Sequence, residues 1–434
     1  MGHLGNVKDE YRAWVRRLES GTTGLPEPSD PAAWAGWKET LEILCTPEQA
    51  LLASKLPVLP ASLERIGKRT GLEPAALRPR LEALCDRGIV MDLVNPRTGK
   101  TTYFLSPSVI GFVEFSMMRA HGDFPKKRLA EAMEAYMLGD EALAREVFGH
   151  PTVVGRALVH EGALCEQALP DVLDWERATE LVRAAPSVGV SLCYCRHKAQ
   201  HLGKACDAPV DNCLTLDAGS GFLVRRGFAR LISTDEALRV LEEARDKGLV
   251  QIADNVQHKP SFICNCCSCC CGQLQAINLY DLRAVNPSAF VPAVATEGCN
   301  GCGLCAKACP IQAIRLSPPD GERKDRRPEI DAERCIGCGV CASRCARSAL
   351  RMAARPERPA VPANTVERVV RMAIERGRLA SFVFDEGAGR GSAFLNRILK
   401  ALAALPPARR ALANEQLRSR FVAAALAWVR DPSD

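Results

Sequence analysis

Eight cysteines between residues 299 and 345 fall into two copies of one spacing, Cys-x2-Cys-x2-Cys-x3-Cys. The first copy is Cys299, Cys302, Cys305 and Cys309, and the second is Cys335, Cys338, Cys341 and Cys345. Three thiolates two residues apart can surround one face of a cubane, while the fourth points towards a different cluster. The spacing therefore predicts two [4Fe–4S] clusters.

The predicted ligation is crossed between the two copies. One cluster takes the first three cysteines of the first copy and Cys345, and the other takes the first three of the second copy and Cys309. A backbone folded tightly around sulfur needs unusual φ values and close N–H groups, which fits the four glycines Gly301, Gly303, Gly337 and Gly339. Two zinc sites are the alternative, but structural zinc typically uses separated Cys-x2-Cys pairs.

A second group of ten cysteines lies between residues 193 and 271: Cys193, Cys195, Cys206, Cys213, Cys264, Cys266, Cys267, Cys269, Cys270 and Cys271. Eight of them could serve two further cubanes with two left over; one cubane with a redox-active thiol pair, or one larger cluster, also fits. Neighbours such as Cys266 and Cys267 project in different directions, so one loop could serve two clusters. Zinc is the alternative here too, although six cysteines in eight residues exceed one tetrahedral site. We expect one or two additional iron–sulfur clusters.

Other residues near these motifs have two interpretations. Arg196, His197 and Lys198 could offset the negative charge of a cluster and raise its potential, or they could form a solvated face. The three remaining cysteines stand alone on apolar segments and are expected to be buried structural thiols: Cys45, Cys85 and Cys165.

The helices and strands that the sequence pattern predicts around these cysteines indicate an α+β fold with several domains. The predicted segments are an N-terminal arm (1–36), a winged helix (37–120), a cysteine-rich α/β domain (121–290), a ferredoxin-like dicluster domain (291–352) and a helical tail (353–434). The winged helix rests on three helices starting near residues 47, 62 and 74, and on a hairpin around the turn at residues 95–100.

A winged helix raises the question of DNA binding. Five cations could face phosphates, namely Arg78, Arg80, Arg87, Arg97 and Lys100. Pro79 would kink the third helix, which is awkward for a helix lying in a major groove. A protein-docking module is therefore favoured over a DNA reader.

Three apolar stripes run along the tail at helical spacing. They are Val366, Val369, Val370 and Ala373; then Phe394, Leu395, Ile398, Leu399 and Leu402; then Phe421, Ala424, Ala425 and Trp428. Such stripes are usually core, but here they could also dock a redox partner, a membrane surface or another copy in a complex.

The composition narrows the class of protein. The chain has 434 residues and 21 cysteines, with a net charge of +6, which does not by itself argue for nucleic acid or membrane binding. It contains neither an export signal nor a run of 18 apolar residues. We therefore expect metal-bound thiolates in a reducing cytoplasm, rather than disulfides, and a low-oxygen metabolism.

From about residue 40 to 350, the chain resembles the multi-cluster ferredoxin-type proteins with a 4Fe–4S dicluster domain that are common in anaerobic bacteria and archaea. The resemblance rests on residues 46–50 and 106–114, the winged helix, the cysteine motifs starting at Cys193 and Cys264, and the repeat from Cys299 to Cys345. It implies cytoplasmic electron transfer. The tail after residue 355 departs from the usual short ending and leaves its role open.

These observations favour an electron-transfer protein, or a component of an oxidoreductase, that relays single electrons between redox partner proteins. Neither a G-x-G-x-x-G motif after a strand nor a P-loop is present, so electrons are expected to enter and leave through proteins. The first alternative is a reductase with an open-site cluster acting on a small molecule. The second is a redox-sensing winged-helix regulator. The catalytic residues of a reductase cannot be assigned.

Overall fold

The computed structural model describes residues 7–120, 124–379, 381, 401, 402 and 404–417. The chain divides into two compact units. The first comprises Met1–Val113, Ala132–Thr152 and Asn364–Asp434, and the second comprises Glu114–Glu131 and Val153–Ala363. Both cysteine-rich regions therefore lie in the second unit, whereas the five domain limits expected from the sequence remain predictions.

Helices dominate the N-terminal part of the chain. They are α1 (Asp9–Leu18), α2 (Pro31–Leu44), α3 (Pro47–Ser54), α4 (Leu63–Thr70), α5 (Pro74–Asp86), α6 (Val113–Phe115), α7 (Lys126–Gly139) and α8 (Ala142–Phe148). The strands are β1 (Ala61–Ser62), β2 (Val90–Val94) and β3 (Thr101–Leu105). An irregular turn occupies Ser108–Phe112.

Helices and strands are mixed in the remainder, which agrees with the predicted α+β class. The strands are β4 (Gly155–Ala157), β5 (Val188–Ser191), β6 (Cys213–Leu216), β7 (Arg230–Ile232), β8 (Val250–Asp254), β9 (Phe262–Cys266), β10 (Val285–Asn286), β11 (Phe290–Val294), β12 (Ile314–Ser317), β13 (Arg327–Ile330) and β14 (Leu350–Ala354). The helices are α9 (Ala178–Ala184), α10 (Tyr194–His201), α11 (Asp217–Arg225), α12 (Thr234–Asp246), α13 (Gly272–Tyr280), α14 (Leu304–Ala308), α15 (Val340–Ser343) and α16 (Thr365–Glu375). Short 3₁₀ turns lie at Glu161–Ala163, Glu166–Asp171, Asp174–Glu176 and Thr296–Gly298, and residues 407–417 are helical.

The segment predicted to be an N-terminal arm is packed into the first unit. Helix α1 is amphipathic, and its apolar face buries Trp14 and Leu18. The Tyr11 hydroxyl donates a hydrogen bond of 2.9 Å to the Cys45 carbonyl oxygen. The sequence did not reveal this packing, because the glycines and prolines after α1 indicate only that the helix cannot continue.

Local signals set the helices and the hairpin between residues 46 and 105, and these element predictions are confirmed. Thr46 caps α3 in a capping box with Gln49, and Pro47 follows at the first helical position. Strands β1, β3 and β2 form an antiparallel sheet in that order. The winged-helix assignment of this region remains a prediction.

One of the five cations that could have faced phosphates has another role. The Arg87 guanidinium donates to the carbonyl oxygens of Leu44 at 2.9 Å and of Ile43 at 3.0 Å. It therefore fastens the end of α2, which sequence spacing could not reveal. The other four cations are exposed, and Pro79 lies inside α5 as expected.

The first apolar stripe of the tail is part of a core rather than a docking face. On α16, Val370 and Ala373 are buried against Leu402, Leu405 and Ala413, and the first two stripe positions are half-buried on the same core. Except for Leu402, the second and third stripes lie outside the described residues.

The second unit is built on a seven-stranded sheet in the order β10-β4-β8-β9-β6-β5-β7. The pairs are antiparallel except that of β10 with β4. Helices α9 and α12 cover one face with Val182 and Leu241 among the buried residues. The dicluster region adds the antiparallel pairs β11–β14 and β12–β13. Within the described ranges, no helix has both the length and the apolar character needed to cross a bilayer.

Candidate metal centre

The two copies of the cysteine repeat fold alike. Gly303 and Gly339 precede α14 and α15 with φ values of 78° and 82°. Gly301 and Gly337 have φ values of 65° and 70°. All four glycines therefore have the left-handed backbone that was expected of them.

The first three cysteines of the first copy lie at the surface. Cys302 is exposed, and Cys299 and Cys305 are half-buried. Burial raises the pKa of Cys305, and the charges of Cys302 and Cys299 act in the same direction. The Gly301 N–H donates to the Cys299 Sγ at 3.5 Å.

The first three cysteines of the second copy are buried: Cys335, Cys338 and Cys341. Burial raises the pKa of Cys338 to about 12, and the charges of Cys335 and Cys309 raise it further. The charge of Cys309 also raises the pKa values of Cys335 and Cys341, after burial as the main cause. Cys309 of the first copy also packs against the hydrophobic core that contains Cys341 of the second copy.

Backbone N–H groups also point at sulfur in this buried set. The Gly337 N–H donates to the Cys335 Sγ at 3.4 Å, and the Ala313 N–H donates to the Cys309 Sγ at 3.2 Å. Cys335 and Cys309 therefore have close N–H groups of the kind that stabilise an anionic iron–sulfur cluster. The remaining member of the repeat, Cys345, follows α15, which packs on the helix that carries Cys305.

The ten cysteines between residues 193 and 271 gather where three neighbouring strands of the large sheet begin or end. Strand β5 ends just before Cys193, the antiparallel strand β6 begins at Cys213, and β9 ends with Cys264 and Cys266. The sheet order places these three strands side by side. Helices α10 and α13 both begin there, with Cys193 and Cys271 as their N-caps.

Six of these cysteines form a closed ring of interactions, in which hydrogen bonding with two other members shifts the pKa of each thiol. The order around this six-thiol ring is Cys193, Cys195, Cys271, Cys266, Cys264, Cys213 and back to Cys193. Four of the six residues are buried, and Cys213 and Cys264 are half-buried. Hydrogen bonding from Cys213 and Cys266 lowers the pKa of Cys264. The Gly272 N–H at the start of α13 donates to the Cys195 sulfur.

The other four cysteines form a separate group, which we call the four-thiol set: Cys206, Cys267, Cys269 and Cys270. Their sulfur atoms all lie within 4.8 Å of one another. The Sγ atoms of Cys206 and Cys267 are 3.6 Å apart, and so are those of Cys269 and Cys270. Cys266 therefore belongs to the ring and Cys267 to the set.

Arg196 lies between the two groups. Its side chain is fully buried, and its Nη2 donates to the Cys267 Sγ at 3.3 Å. Its Nη1 donates to the Asn212 Oδ1 at 3.2 Å and also to the Pro209 carbonyl oxygen. Hydrogen bonding from Cys270 lowers the pKa of Cys267, and the charge of Arg196 contributes to the same effect.

The solvated-face alternative for the cations after Cys195 is wrong, because Arg196, His197 and Lys198 are all buried. His197 contacts the Met117 carbonyl oxygen at 2.7 Å through Nδ1 and His201 at 3.2 Å through Nε2. Sequence spacing had shown their position but not their burial, which depends on how α10 packs. Among the three lone cysteines, Cys45 and Cys85 are buried as expected, whereas Cys165 is half-buried.

Two residues near the thiols were not found from the sequence. His160 donates its backbone N–H to the Cys338 carbonyl oxygen at 3.0 Å, and its Nε2 lies 2.9 Å from the Leu249 carbonyl oxygen. Burial lowers the pKa of His160 to about 4, so the imidazole of His160 is neutral near pH 7. Asn265 is fully buried and donates to the Asn212 carbonyl oxygen at 2.7 Å. His160 belongs to no local motif, and although Asn265 lies between Cys264 and Cys266, the spacing of those cysteines does not indicate its partner.

Comparison with known proteins identifies part of this region. Residues 298–349 match the family model of the 4Fe-4S dicluster domain. No curated protein and no solved structure matches the chain. The matched span contains both copies of the cysteine repeat, so the chain contains a ferredoxin-type iron–sulfur module with an electron-transfer role.

Proposed function

We propose that the protein relays single electrons between redox partner proteins through two [4Fe–4S] clusters and one further cluster in the six-thiol ring. The observation that carries the proposal is the packing of Cys309 against the core that contains Cys341 within the matched dicluster span, where the charge of Cys309 also acts on Cys335 and Cys338. Four thiols drawn from both copies suit one cubane of a crossed pair. Cys299, Cys302 and Cys305 would hold the other cubane with Cys345.

The two cubane sites differ in burial, and this difference indicates which of them exchanges electrons with a partner protein. The site around Cys302 is exposed, and Leu304 beside it is 48% exposed. The site around Cys338 is buried. A partner protein would therefore exchange electrons at the first site, because electron tunnelling weakens steeply with distance from the cluster.

Helix α13 links the six-thiol ring to the buried cubane site. It starts at the ring residue Cys271 and, with nine residues, is about 14 Å long. Near its other end, Asn278 donates to the Pro310 carbonyl oxygen at 3.0 Å, and Arg334 donates to the Ile277 carbonyl oxygen at 3.1 Å. Pro310 follows Cys309 and Arg334 precedes Cys335. The ring and the buried site are thus held at a fixed separation.

The six-thiol ring fits one polynuclear cluster better than ordinary cubanes. A cubane takes four cysteine thiolates, so six are too many for one and too few for two. The start of α13 adds an N–H donor and the positive end of a helix dipole to the ring. We assign the ring to the larger of the cluster types considered, which forms the inner end of the relay.

Iron and sulfide quantification of the anaerobically purified full chain tests this function. The two cubanes account for about eight irons per chain, and the ring adds further irons. Cys264→Ser should lose the additional irons and keep about eight, while Cys165→Ser, outside both thiol groups, should keep them all. Electron paramagnetic resonance of the reduced protein should show interacting cluster signals.

The proposal fails if the anaerobically purified chain is colourless and free of iron. It fails in part if Cys264→Ser leaves the iron content unchanged, because the ring then holds no cluster. Transfer of electrons from the reduced chain to a one-electron acceptor should also depend on Cys302, with Cys165→Ser as the unaffected control.

A further inference from the structure

The four-thiol set has a geometry different from that of an iron–sulfur cubane. Two of its sulfur pairs are 3.6 Å apart, and all four sulfurs lie within 4.8 Å of one another. A cubane places each thiolate on a separate iron at a corner of the cluster. Four thiolates on one cubane must therefore all stand farther apart than four that share one ion. In the four-thiol set all four sulfurs are mutually close, whereas in the six-thiol ring each thiol interacts with only two others.

We infer that the four-thiol set binds a single zinc ion in a tetrahedral site. Zinc–sulfur bonds of about 2.3 Å in a tetrahedron place the sulfurs about 3.8 Å apart. The two pairs at 3.6 Å match this edge, and the limit of 4.8 Å on the others allows for a small adjustment around the ion. Four cysteine ligands without an open position make a closed site of the structural kind.

The chemistry of the ligands agrees with zinc. An all-thiolate tetrahedral set selects zinc or iron–sulfur chemistry among the common metals, and the short sulfur separations favour the single ion. Four thiolates around Zn²⁺ leave a net negative charge. The buried guanidinium of Arg196, 3.3 Å from the Cys267 Sγ, partly offsets that charge.

The position of the set explains what the ion would do. Cys206 lies in the loop between α10 and β6, whereas the other three members lie between β9 and α13. One ion joins these two loops. Cys266 and Cys271 of the ring flank the three members in the sequence, but neither is a ligand of the ion. The ion has no redox role, so it stands outside the electron relay.

Zinc, iron and sulfide measured on the same anaerobically purified full chain test this inference. Wild type, washed with a chelator, should retain about one zinc per chain. Cys206→Ser should lose this zinc and keep the iron and sulfide of wild type. The matched variant Cys264→Ser, in the ring, should lose iron and keep the zinc, while Cys165→Ser should keep both.

X-ray absorption at the zinc edge of the wild-type chain needs no variant and covers the case in which Cys206→Ser fails to fold. Four sulfur neighbours at about 2.3 Å support the site. Zinc bound by nitrogen or oxygen overturns it, as does a wild-type chain without zinc. Loss of iron with sulfide from Cys206→Ser, or of a single iron without sulfide, overturns it as well. A chain that retains zinc but contains no iron would refute the relay and leave this site standing.

Discussion

Gly337 is the position at which one added methyl group should disrupt the buried cubane site. Its φ is 70°, and a Cβ built on it would lie 2.3 Å from both the Phe290 carbonyl oxygen and the Ser288 Oγ. The Ser288 hydroxyl donates to the Gly337 carbonyl oxygen at 2.7 Å, so the neighbours are already fixed. The Gly337 N–H faces the Cys335 sulfur.

The destabilisation expected from Gly337→Ala has two separable causes, a left-handed backbone and a steric clash. A residue with a side chain in the left-handed region costs roughly 1–2 kcal/mol. Gly227→Ala incurs this cost alone, because its φ is 69° and nothing lies within 4 Å of its Cβ. Gly337→Ala adds a clash, and reaching an ordinary contact of 3.4 Å needs a shift of about 1 Å. That shift moves either the start of β11 or the loop that holds Cys335.

Iron content, electron paramagnetic resonance and the thermal unfolding midpoint of both variants measure these costs. Gly227→Ala should unfold at a lower temperature with its iron content unchanged. Gly337→Ala should lose about four irons, the content of one cubane. The reasoning is refuted if Gly337→Ala keeps all its iron, or if Gly227→Ala loses as much iron as Gly337→Ala.

Three further predictions concern the ligands and the supporting contacts. Cys309→Ser combined with Cys338→Ser should lose no more iron than either single variant, whereas Cys309→Ser with Cys302→Ser should lose about twice as much; uncrossed ligation would reverse the two results. Arg196→Met removes the buried cation beside a thiolate and should lower the free energy of unfolding by roughly 3–5 kcal/mol, measured in denaturant under anaerobic conditions. Thr46→Ala removes the cap of α3 and should cost about 1 kcal/mol in the same assay, and a loss of iron in that variant would contradict its purely structural role.

The sequence allowed prediction of features that depend on neighbouring residues. The threonine and proline at the start of α3 form a local capping signal, and the structure has that cap. The glycines of the cysteine repeat adopt left-handed backbone for a similarly local reason, since sulfur must be wrapped by a short loop. The roles of Arg87 and His160 depend instead on partners 43 and 89 residues away. Spacing within a motif carries no information about such partners.

The division of the ten cysteines into a group of six and a group of four also could not be predicted from their spacing in the sequence. Cys264 and Cys266 alternate with Asn265 along β9, so the strand period puts both on one face and towards the ring. Beyond the strand, that period ends, and Cys267 to Cys270 turn towards Cys206. Where the strand stops is decided by its pairing with β8 and β6, which a run of cysteines cannot reveal. The difference between the cluster proposed for the ring and the ion proposed for the four-thiol set therefore follows from where β9 ends.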